Sequence, residues 1–361
     1  MKKMRIIGAA AVAALWLCLT LWAWMRPSDQ ISSAERRPLE QFPAVDLENV
    51  LEGGFMTDFE DYTLDQFPLR DGFRSVKAVF QKYVMGQKDN NGIYVADGHA
   101  AKLEYPYDAE SIAHAADRFG DVYENYLTDC NVYMTIVPDK GYYLAEDNGY
   151  PVMDYEAMVT DLRAGMPWAQ YIDLTDCLSL DDYYRTDTHW RQENLLPVAG
   201  RIAAAMGVTV GEFTPVTREE PFYGVYYGQA ALPMEPDQLV LMESDWLSEC
   251  RVYDHESGTW GSVYDLNRLE GDDLYEVFLS GPRSLLTIEN PNAATDKELI
   301  VFRDSFGSNL VPLLLQDYAR VDVVDIRYLN AALLGNFVDF HGQDVLFLYS
   351  TLVLNNSETI K

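Results

Sequence analysis

The chain has 361 residues, of which 57 are acidic and 27 are lysine or arginine, so its formal net charge at pH 7 is -30. This balance excludes nucleic acid as a partner, because phosphate backbones require clustered cations. Hydrophobic residues make up 48% of the sequence, which excludes global disorder and predicts a sizeable core.

The N-terminus contains an uncharged apolar segment from Ile6 to Met25. A helix of about 20 residues spans roughly 30 Å, the thickness of a bilayer core. A cleaved signal peptide is the alternative, but its apolar region covers about 7–15 residues and ends at a small-x-small site. The residues from Trp22 to Met25 form a poor cleavage site. We therefore predict a signal-anchor.

The orientation of this helix follows from the flanking charges. Three basic residues precede it and no acidic residue does, so the short N-terminus is expected to stay in the cytoplasm. Residues 1–26 then form a cytoplasmic tip and a transmembrane anchor, and residues 27–60 form a polar stem. We predict a single-pass, membrane-anchored protein whose main domain, residues 61–361, lies outside the cytoplasm.

The main domain alternates between helix and strand patterns. The predicted helices span 75–85, 111–127, 155–164, 192–206, 309–318 and 330–340. The predicted strands span 92–98, 131–137, 169–174, 298–302, 321–326 and 344–349. This alternation predicts an α/β fold in which helices cover both faces of a parallel sheet. Residues 208–295 are richer in Tyr, Gly and short alternating runs, which predicts a β-rich insertion, either a separate lobe or loops over the site.

Two short stretches contain residues suited to nucleophilic catalysis. Ser305 follows an apolar strand and precedes a helix, and ligands bind at the carboxyl ends of parallel strands. A helix N-terminus there directs N–H groups at a developing oxyanion. Asp187 lies two residues before His189, where a carboxylate can orient the imidazole ring and stabilise its charged form. The three residues together predict a Ser-His-Asp triad.

Each residue also has a simpler interpretation. Serine commonly caps helices, histidine serves as an ordinary hydrogen-bonding residue, and Asp-x-His also suits a metal site. No second cluster with metal-ligand spacing accompanies Asp187 and His189, and the four cysteines form no C-x-x-C pair. We therefore predict neither a metal site nor a cofactor.

The motifs in this order resemble those of the DHHW proteins, which are similar to alginate O-acetyltransferase proteins with an SGNH-hydrolase-like domain. The motifs that carry the resemblance are Gln41–Pro43, Asp65–Asp71, Asn91–Tyr94, Pro138–Lys140, Asp187–Trp190, Asp304–Phe306 and Asp325–Tyr328. The resemblance implies an SGNH-hydrolase-like sheet sandwiched by helices. It also implies that Ser305 is the nucleophile, His189 the general base and Asp187 the residue that orients it.

The chain departs from the family pattern at three places. Arg303 stands where SGNH enzymes have Gly before Asp-Ser, and Thr188 replaces the first His of the DHHW motif. Pro282 follows Gly281 where the family pattern predicts Asn, which leaves the side-chain oxyanion donor unassigned. The N–H groups of Ser305 and Gly307 are the remaining candidates.

Other residues are candidates for supporting roles. Asp304, Gly307, Gly281 and Arg303 are expected near the oxyanion. Trp190, Arg327, Lys140 and Asn330 are weaker candidates for substrate binding. The charged members of these sets have pairing with nearby acids as the alternative, and Trp190 has core packing as the alternative.

Three functions fit these residues. The first is O-acetyl transfer to a cell-surface polysaccharide through an acyl-serine, as in exopolysaccharide biosynthesis. The resemblance then implies a membrane-bound O-acyltransferase partner that supplies the acyl group, because acetyl-CoA is cytoplasmic. The second is a carbohydrate acetyl esterase with the same triad. The third is a non-catalytic glycan-binding or scaffold protein, which the missing Asn favours and the three retained polar residues disfavour.

Overall fold

The computed structural model describes residues 2–361 and divides the chain into two compact units. The first unit comprises the chain up to Asn91 together with Tyr227–Pro233, and the second comprises Gly92–Tyr226 together with Met234–Lys361. Met1, the first residue of the predicted cytoplasmic tip, lies outside the described residues.

The first unit begins with helix α1 (Lys2–Met25). Its segment Lys3–Met25 is long and apolar enough to cross a membrane, with a mean hydropathy of 2.2 and no residue of the span buried. The later elements of this unit are β1 (Ile31–Ser32), β2 (Arg37–Pro38), α2 (Leu47–Glu52), α3 (Gly54–Asp65), α4 (Arg70–Tyr83) and β3 (Asp89–Asn90). The predicted stem, 27–60, thus contains a two-stranded ladder and short helices.

The second unit contains the predicted α/β domain. Its first elements are β4 (Ile93–Ala96), β5 (His99–Lys102), α5 (Ala109–Val122), β6 (Asn131–Val137), α6 (Gly141–Leu144), α7 (Tyr155–Gly165), β7 (Gln170–Tyr171), α8 (Leu196–Met206), β8 (Thr214–Phe222) and β9 (Asp237–Glu243). Helix α9 (Val225–Ala230) starts in this unit, and its residues from Tyr227 onward belong to the first unit. The later elements are α10 (Asp245–Ser248), β10 (Arg251–Asp254), β11 (Thr259–Gly261), β12 (Leu285–Glu289), β13 (Lys297–Arg303), α11 (Gly307–Leu310), β14 (Tyr318–Val324), β15 (Asp344–Ser350) and α12 (Thr351–Leu354). Short 3-10 turns connect several of them.

An eight-stranded sheet organises this unit, in the order β11-β10-β12-β14-β13-β15-β6-β7. The five strands from β14 to β7 are parallel, and β12, β10 and β11 extend one edge in antiparallel fashion. Alternate residues of β13 enter two different cores. Leu299 and Val301 pack in the core that contains α8, whereas Ile300 and Phe302 pack in the core that contains α5 and α7. The predicted α/β fold with a mostly parallel, helix-covered sheet is confirmed.

Several predicted elements match the structure and others differ. The strand predicted at 131–137 has the same bounds in the structure. Helix α8 ends at Met206, as predicted, and is capped by Gly207, whose φ of 68° lies in the left-handed region that favours glycine. The helix predicted at 309–318 is shorter, because α11 ends at Leu310, Pro312 follows within a 3-10 turn, and Tyr318 already belongs to β14. The helix predicted at 330–340 is a 3-10 turn at Ala331–Asn336.

Residues 208–295, predicted as a β-rich insertion, supply strands β10, β11 and β12 to the main sheet. Strand β12 pairs with β14 over five residues, from Leu285 opposite Val324 to Glu289 opposite Arg320. The segment therefore extends the sheet that carries the site.

Candidate active site

The ends of three parallel strands lie at one edge of the sheet. Strand β13 lies between β14 and β15, and β15 pairs with β6, all in parallel register. Their carboxyl ends are therefore at the same edge, where ligands bind in open α/β sheets. Ser305 follows β13 there, Ser350 ends β15, and Lys140 follows β6.

Ser305 lies in a turn that its neighbour Asp304 holds. One carboxylate oxygen of Asp304 accepts a hydrogen bond from the Phe306 N–H at 3.0 Å, and the other accepts from the Ser350 N–H at 2.7 Å. Asp304 thus ties this turn to the end of β15. From residue 299 to residue 315 every residue except Ser305 is buried, so Ser305 is the one partly exposed residue of this stretch.

The three predicted triad residues are brought together. Nε2 of His189 lies 2.8 Å from Oγ of Ser305, and Nδ1 of the same ring lies 2.5 Å from Oδ1 of Asp187. Asp187 is fully buried and His189 is 8% exposed. This continuous hydrogen-bonded chain can move a proton from the serine hydroxyl to the imidazole ring while the carboxylate stabilises the resulting charge.

Two backbone N–H groups hold the Asp187 side chain, one from its own segment and one from a segment distant in the sequence. Oδ1 accepts the His189 N–H at 3.1 Å, and Oδ2 accepts the Val225 N–H at 2.9 Å. Gly224 makes this contact possible, because a Cβ atom at this position would lie 2.2 Å from Cβ of Asp187. Only a glycine allows the two backbones to approach this closely.

Lys140 holds the segment that precedes His189 through hydrogen bonds to its backbone carbonyl groups. Its Nζ donates hydrogen bonds to the carbonyl oxygens of Asp187 at 2.6 Å and Tyr184 at 2.9 Å, and it lies 3.5 Å from the carbonyl oxygen of Arg185. Burial lowers the pKa of this ammonium to about 7, although nearby carboxylates, Asp187 foremost, act in the opposite direction. Lys140, predicted as a substrate-binding candidate, is buried and therefore positions the loop.

Tyr275 covers the imidazole ring of His189. The two rings are stacked with centroids 3.7 Å apart and planes 5° from parallel. The Tyr275 hydroxyl donates a hydrogen bond to the carbonyl oxygen of Ser305 at 2.9 Å. Burial raises the pKa of this phenol well above its usual value, so it stays protonated as a donor.

The backbone donors near Ser305 differ in availability. The Gly307 N–H donates to the carbonyl oxygen of Asp304 at 3.1 Å, so it is already engaged within the turn. Within residues 2–361 the Ser305 N–H donates no hydrogen bond, so it remains the candidate oxyanion donor.

The two glycines predicted near the oxyanion pack against side chains. Gly281 has a φ of 78° and packs against the Glu276 side chain. Gly307 itself packs against the side chain of Arg303, where a Cβ atom would lie 2.7 Å from Cβ of that arginine.

The two arginines of the predicted supporting set are buried or paired with acids. Arg327 makes a two-pronged ion pair with Asp325, through Nε at 2.9 Å and Nη2 at 2.6 Å, which raises the pKa of the arginine even though its burial acts in the opposite direction. Arg303 is 1% exposed, and its Nη1 lies 3.9 Å from the same carboxylate and 3.4 Å from the Asp304 carbonyl oxygen. Burial lowers the pKa of Arg303.

Two predicted substrate-binding residues have structural contacts instead. Trp190 is fully buried, and its indole N–H donates to the Phe306 carbonyl oxygen at 3.0 Å and to Oδ1 of Asn309 at 2.6 Å. Its ring faces are therefore closed to a sugar, and the residue fixes the segment after Ser305. The Asn330 side chain accepts the Ala332 N–H at 2.9 Å and so caps the following 3-10 turn.

Sequence reasoning missed the contributions of the segment 208–295. Gly224, Val225 and Tyr275 contact the three polar residues directly. Asp237 accepts hydrogen bonds from the Thr186 N–H at 2.8 Å and from the Thr186 hydroxyl at 2.6 Å. No periodicity marks these residues, because each acts at one point of contact with a distant segment.

Between residues 2 and 361 no group of three or more His, Cys, Asp or Glu side chains could hold a metal ion. The four cysteines are all free thiols.

The fold is shared with solved structures. No family model matches the chain, and no curated protein matches it significantly. A DHHW family protein from Eubacterium siraeum superimposes with a TM-score of 0.61 and 22% identity, over 75% of this chain and 95% of that one. Bacillus cereus PatB1, in a structure with a sulfonyl adduct, superimposes with a TM-score of 0.57 and 16% identity, over 73% of this chain and 95% of that one. The resemblance predicted from the motifs is thereby confirmed at the level of the fold.

Proposed function

We propose that this protein is a cell-surface polysaccharide O-acetyltransferase that works through an acyl-serine intermediate. The observation that carries the proposal is the hydrogen-bonded chain from Asp187 through His189 to Ser305, which is the one partly exposed residue of its turn. A serine activated by an oriented base is the arrangement that acyl transfer requires.

The reaction proceeds in two half-reactions. Oγ of Ser305 attacks the acetyl carbonyl carbon of the donor while Nε2 of His189 takes the hydroxyl proton, and the Ser305 N–H stabilises the oxyanion. The tetrahedral intermediate collapses, and the donor group leaves with the proton from His189. A sugar hydroxyl then attacks the acetyl-serine, His189 takes its proton, and Ser305 leaves as the alcohol with that proton returned.

The net charge of the chain and its expected location restrict the class of acceptor and the source of the acyl donor. The acidic chain repels polyanions, so we expect a neutral glycan acceptor. The apolar helix α1 supports attachment to a membrane with the second unit outside the cytoplasm. An acyl donor at that location requires delivery across the membrane, for which a membrane-bound O-acyltransferase partner is part of the proposal.

Acyl capture can be measured on the full chain in detergent micelles. The protein is incubated with p-nitrophenyl acetate, and intact mass and p-nitrophenol release are followed with and without chitopentaose, a neutral acceptor. Ser305→Ala tests the nucleophile. Ser308→Ala is the matched control, because Ser308 is a buried serine three residues further along the chain.

The outcomes separate the candidate functions. An acetyl adduct that is absent in Ser305→Ala, present in Ser308→Ala and transferred to chitopentaose supports the transferase. Turnover that depends on Ser305 but leaves chitopentaose unmodified indicates the esterase, since water is then the acceptor. If neither an adduct nor Ser305-dependent turnover forms, the result counts against acyl capture from a free ester, and it favours the glycan-binding alternative or a donor that only the membrane-bound partner supplies.

A further inference from the structure

The apolar face of helix α4, in the first unit, is exposed. Residues three and four apart lie on one side of a helix, and this spacing holds for an apolar series that begins just before α4. The series consists of Leu69, Phe73, Val76, Phe80 and Tyr83, here called the α4 stripe. Each of its side chains is at least half exposed. A soluble helix normally buries such a face, so the stripe lacks its expected cover within residues 2–361.

The orientation of α4 is fixed by ion pairs on its other side. Arg70 pairs with Glu35 and Asp65, and Arg74 pairs with Glu35 at 2.8 Å. Hydrogen bonds from Arg37 are the main cause that lowers the pKa of Asp65 to about 2, so this carboxylate keeps its charge. Ala78, on the same side, is buried. The helix is thus anchored by its polar face, and the α4 stripe is left outside.

The residues around the stripe are positively charged, whereas the chain as a whole is negatively charged. Residues 72–88 contain four basic residues and no acidic residue, although the whole chain has a net charge of -30. Arg74 is paired with Glu35, so Lys77, Lys82 and Lys88 supply the positive charge beside the stripe. A helix with basic residues beside an aromatic and aliphatic face is typical of segments that lie in the interface of an anionic membrane.

The stripe also lies next to the candidate membrane span. Within the first unit the Phe67 ring packs on the Trp16 ring of α1, with centroids 6.3 Å apart, and on the Phe73 ring of the stripe, 5.6 Å away. Trp16 lies nine residues before the end of α1 at Met25, a distance of about 13 Å along a helix. These ring contacts connect the α4 stripe, through Phe67, to the candidate membrane span.

We propose that the α4 stripe is a membrane-contacting surface, inserted into the acyl-chain boundary of an anionic lipid bilayer. Lipid covers the apolar residues, and Lys77, Lys82 and Lys88 face the headgroups. Together with α1, the helix gives the first unit two attachments to the membrane. This inference does not depend on the proposed acetyl transfer.

The test uses the full chain in nanodiscs of phosphatidylcholine and phosphatidylglycerol that contain a photoactivatable diazirine lipid. Illumination attaches lipid to the residues that contact it, and mass spectrometry locates the adducts. Trypsin cleaves after Lys77, Lys82 and Lys88, so the peptides 78–82 and 83–88 report on the stripe. Adducts on α1 serve as the internal reference.

Two double variants test whether lipid labelling depends on the apolar side chains of the stripe. Val76→Gln with Phe80→Gln removes two apolar side chains at exposed positions and leaves the net charge unchanged. Leu266→Gln with Leu333→Gln makes the same change at two exposed positions of the second unit and serves as the control. We expect adducts on both stripe peptides, a decrease of about tenfold in the first variant and none in the control.

Three results would overturn the proposal. In the first, adducts are absent from the stripe peptides. In the second, the Val76 and Phe80 substitutions leave the adducts unchanged. In the third, each disc holds two chains, and an added lysine-reactive bifunctional crosslinker joins them through Lys77, Lys82 or Lys88, which identifies a second copy as the cover of the stripe.

Discussion

The imidazole ring of His189 lies flat on the phenol ring of Tyr275, 3.7 Å away and 5° from parallel. The same tyrosine donates a hydrogen bond to the backbone of Ser305. One side chain therefore contacts both members of the His189–Ser305 pair. It restricts rotation of the ring and holds the turn that carries the hydroxyl, which are the two conditions for a short Nε2–Oγ distance.

This contact predicts different effects for two substitutions of Tyr275. Tyr275→Ala frees the ring of His189, and we expect Ser305-dependent release of p-nitrophenol to fall by about 10–100-fold, since small misplacements of reacting groups are costly. Tyr275→Phe keeps the stacked ring and loses one hydrogen bond, so the free energy of unfolding should fall by about 0.5–1.5 kcal/mol with a smaller loss of rate. Equal losses of rate in the two variants would argue against a positioning role for the ring.

The role of the Asp187 carboxylate can be tested without changing the shape of its side chain. In Asp187→Asn the amide no longer stabilises a charged imidazole ring. If these residues act as the proposed triad, turnover should fall by about 10⁴-fold, which is the loss known for the same change in Ser-His-Asp enzymes. Steady-state kinetics with p-nitrophenyl acetate measures the effect, and circular dichroism checks the fold. Turnover within a few-fold of the original chain would show that His189 acts without this carboxylate, or that another residue is the base.

The close packing of Gly224 against Asp187 predicts that Gly224→Ala, which adds one methyl group, reduces activity. In Gly224→Ala the new Cβ would overlap Cβ, Cα and N of Asp187, which lie 2.2–2.5 Å away, so the segment must move and change the geometry of Asp187, His189 and Ser305. We expect lower stability and a turnover reduced by about 10²-fold. Gly200→Ala is the control, because no atom lies within 4 Å of a Cβ there and the residue is inside α8. That change should stabilise the protein by about 0.5–1 kcal/mol.

The sequence predicts much of this site because its main parts are local. Asp187 and His189 are two residues apart, and Ser305 follows an uninterrupted apolar strand, so each motif is visible within a few positions. The rule that parallel strands end at one edge then brings the Ser305 turn and Lys140 to the same region.

The remaining parts depend on contacts between distant segments. Tyr275 is 86 positions from His189, and Gly224 is 37 positions from Asp187, so no local pattern reveals them. Trp190 shows a second limit. An aromatic residue beside the motif suits both sugar stacking and core packing, and only its burial beneath Phe306 and Asn309 separates the two.

Lys140 predicts a pH dependence of stability. Burial lowers its pKa to about 7 in the folded chain, from 10.5 for a free side chain. Between these values the unfolded chain binds more protons than the folded one, so this residue makes the free energy of unfolding rise with pH. The groups that face its ammonium are Asp139, Asp187, Asp237 and His99. The three carboxylates act against the shift, and burial outweighs them.

The variant Lys140→Met removes both the titration and the hydrogen bonds to the Tyr184 and Asp187 carbonyl oxygens. We expect it to be less stable at every pH, by about 1–3 kcal/mol for the carbonyl groups left unpaired. The deficit should grow from pH 7 to pH 10, by at most about 1.4 kcal/mol per pH unit, because only the original chain gains stability from Lys140 as the pH rises. Urea unfolding of the full chain in micelles at several pH values measures the difference, with the more exposed Lys102→Met as the control. A deficit that stays constant with pH would mean that Lys140 keeps its proton throughout and acts as a permanent ammonium clamp on the loop before His189.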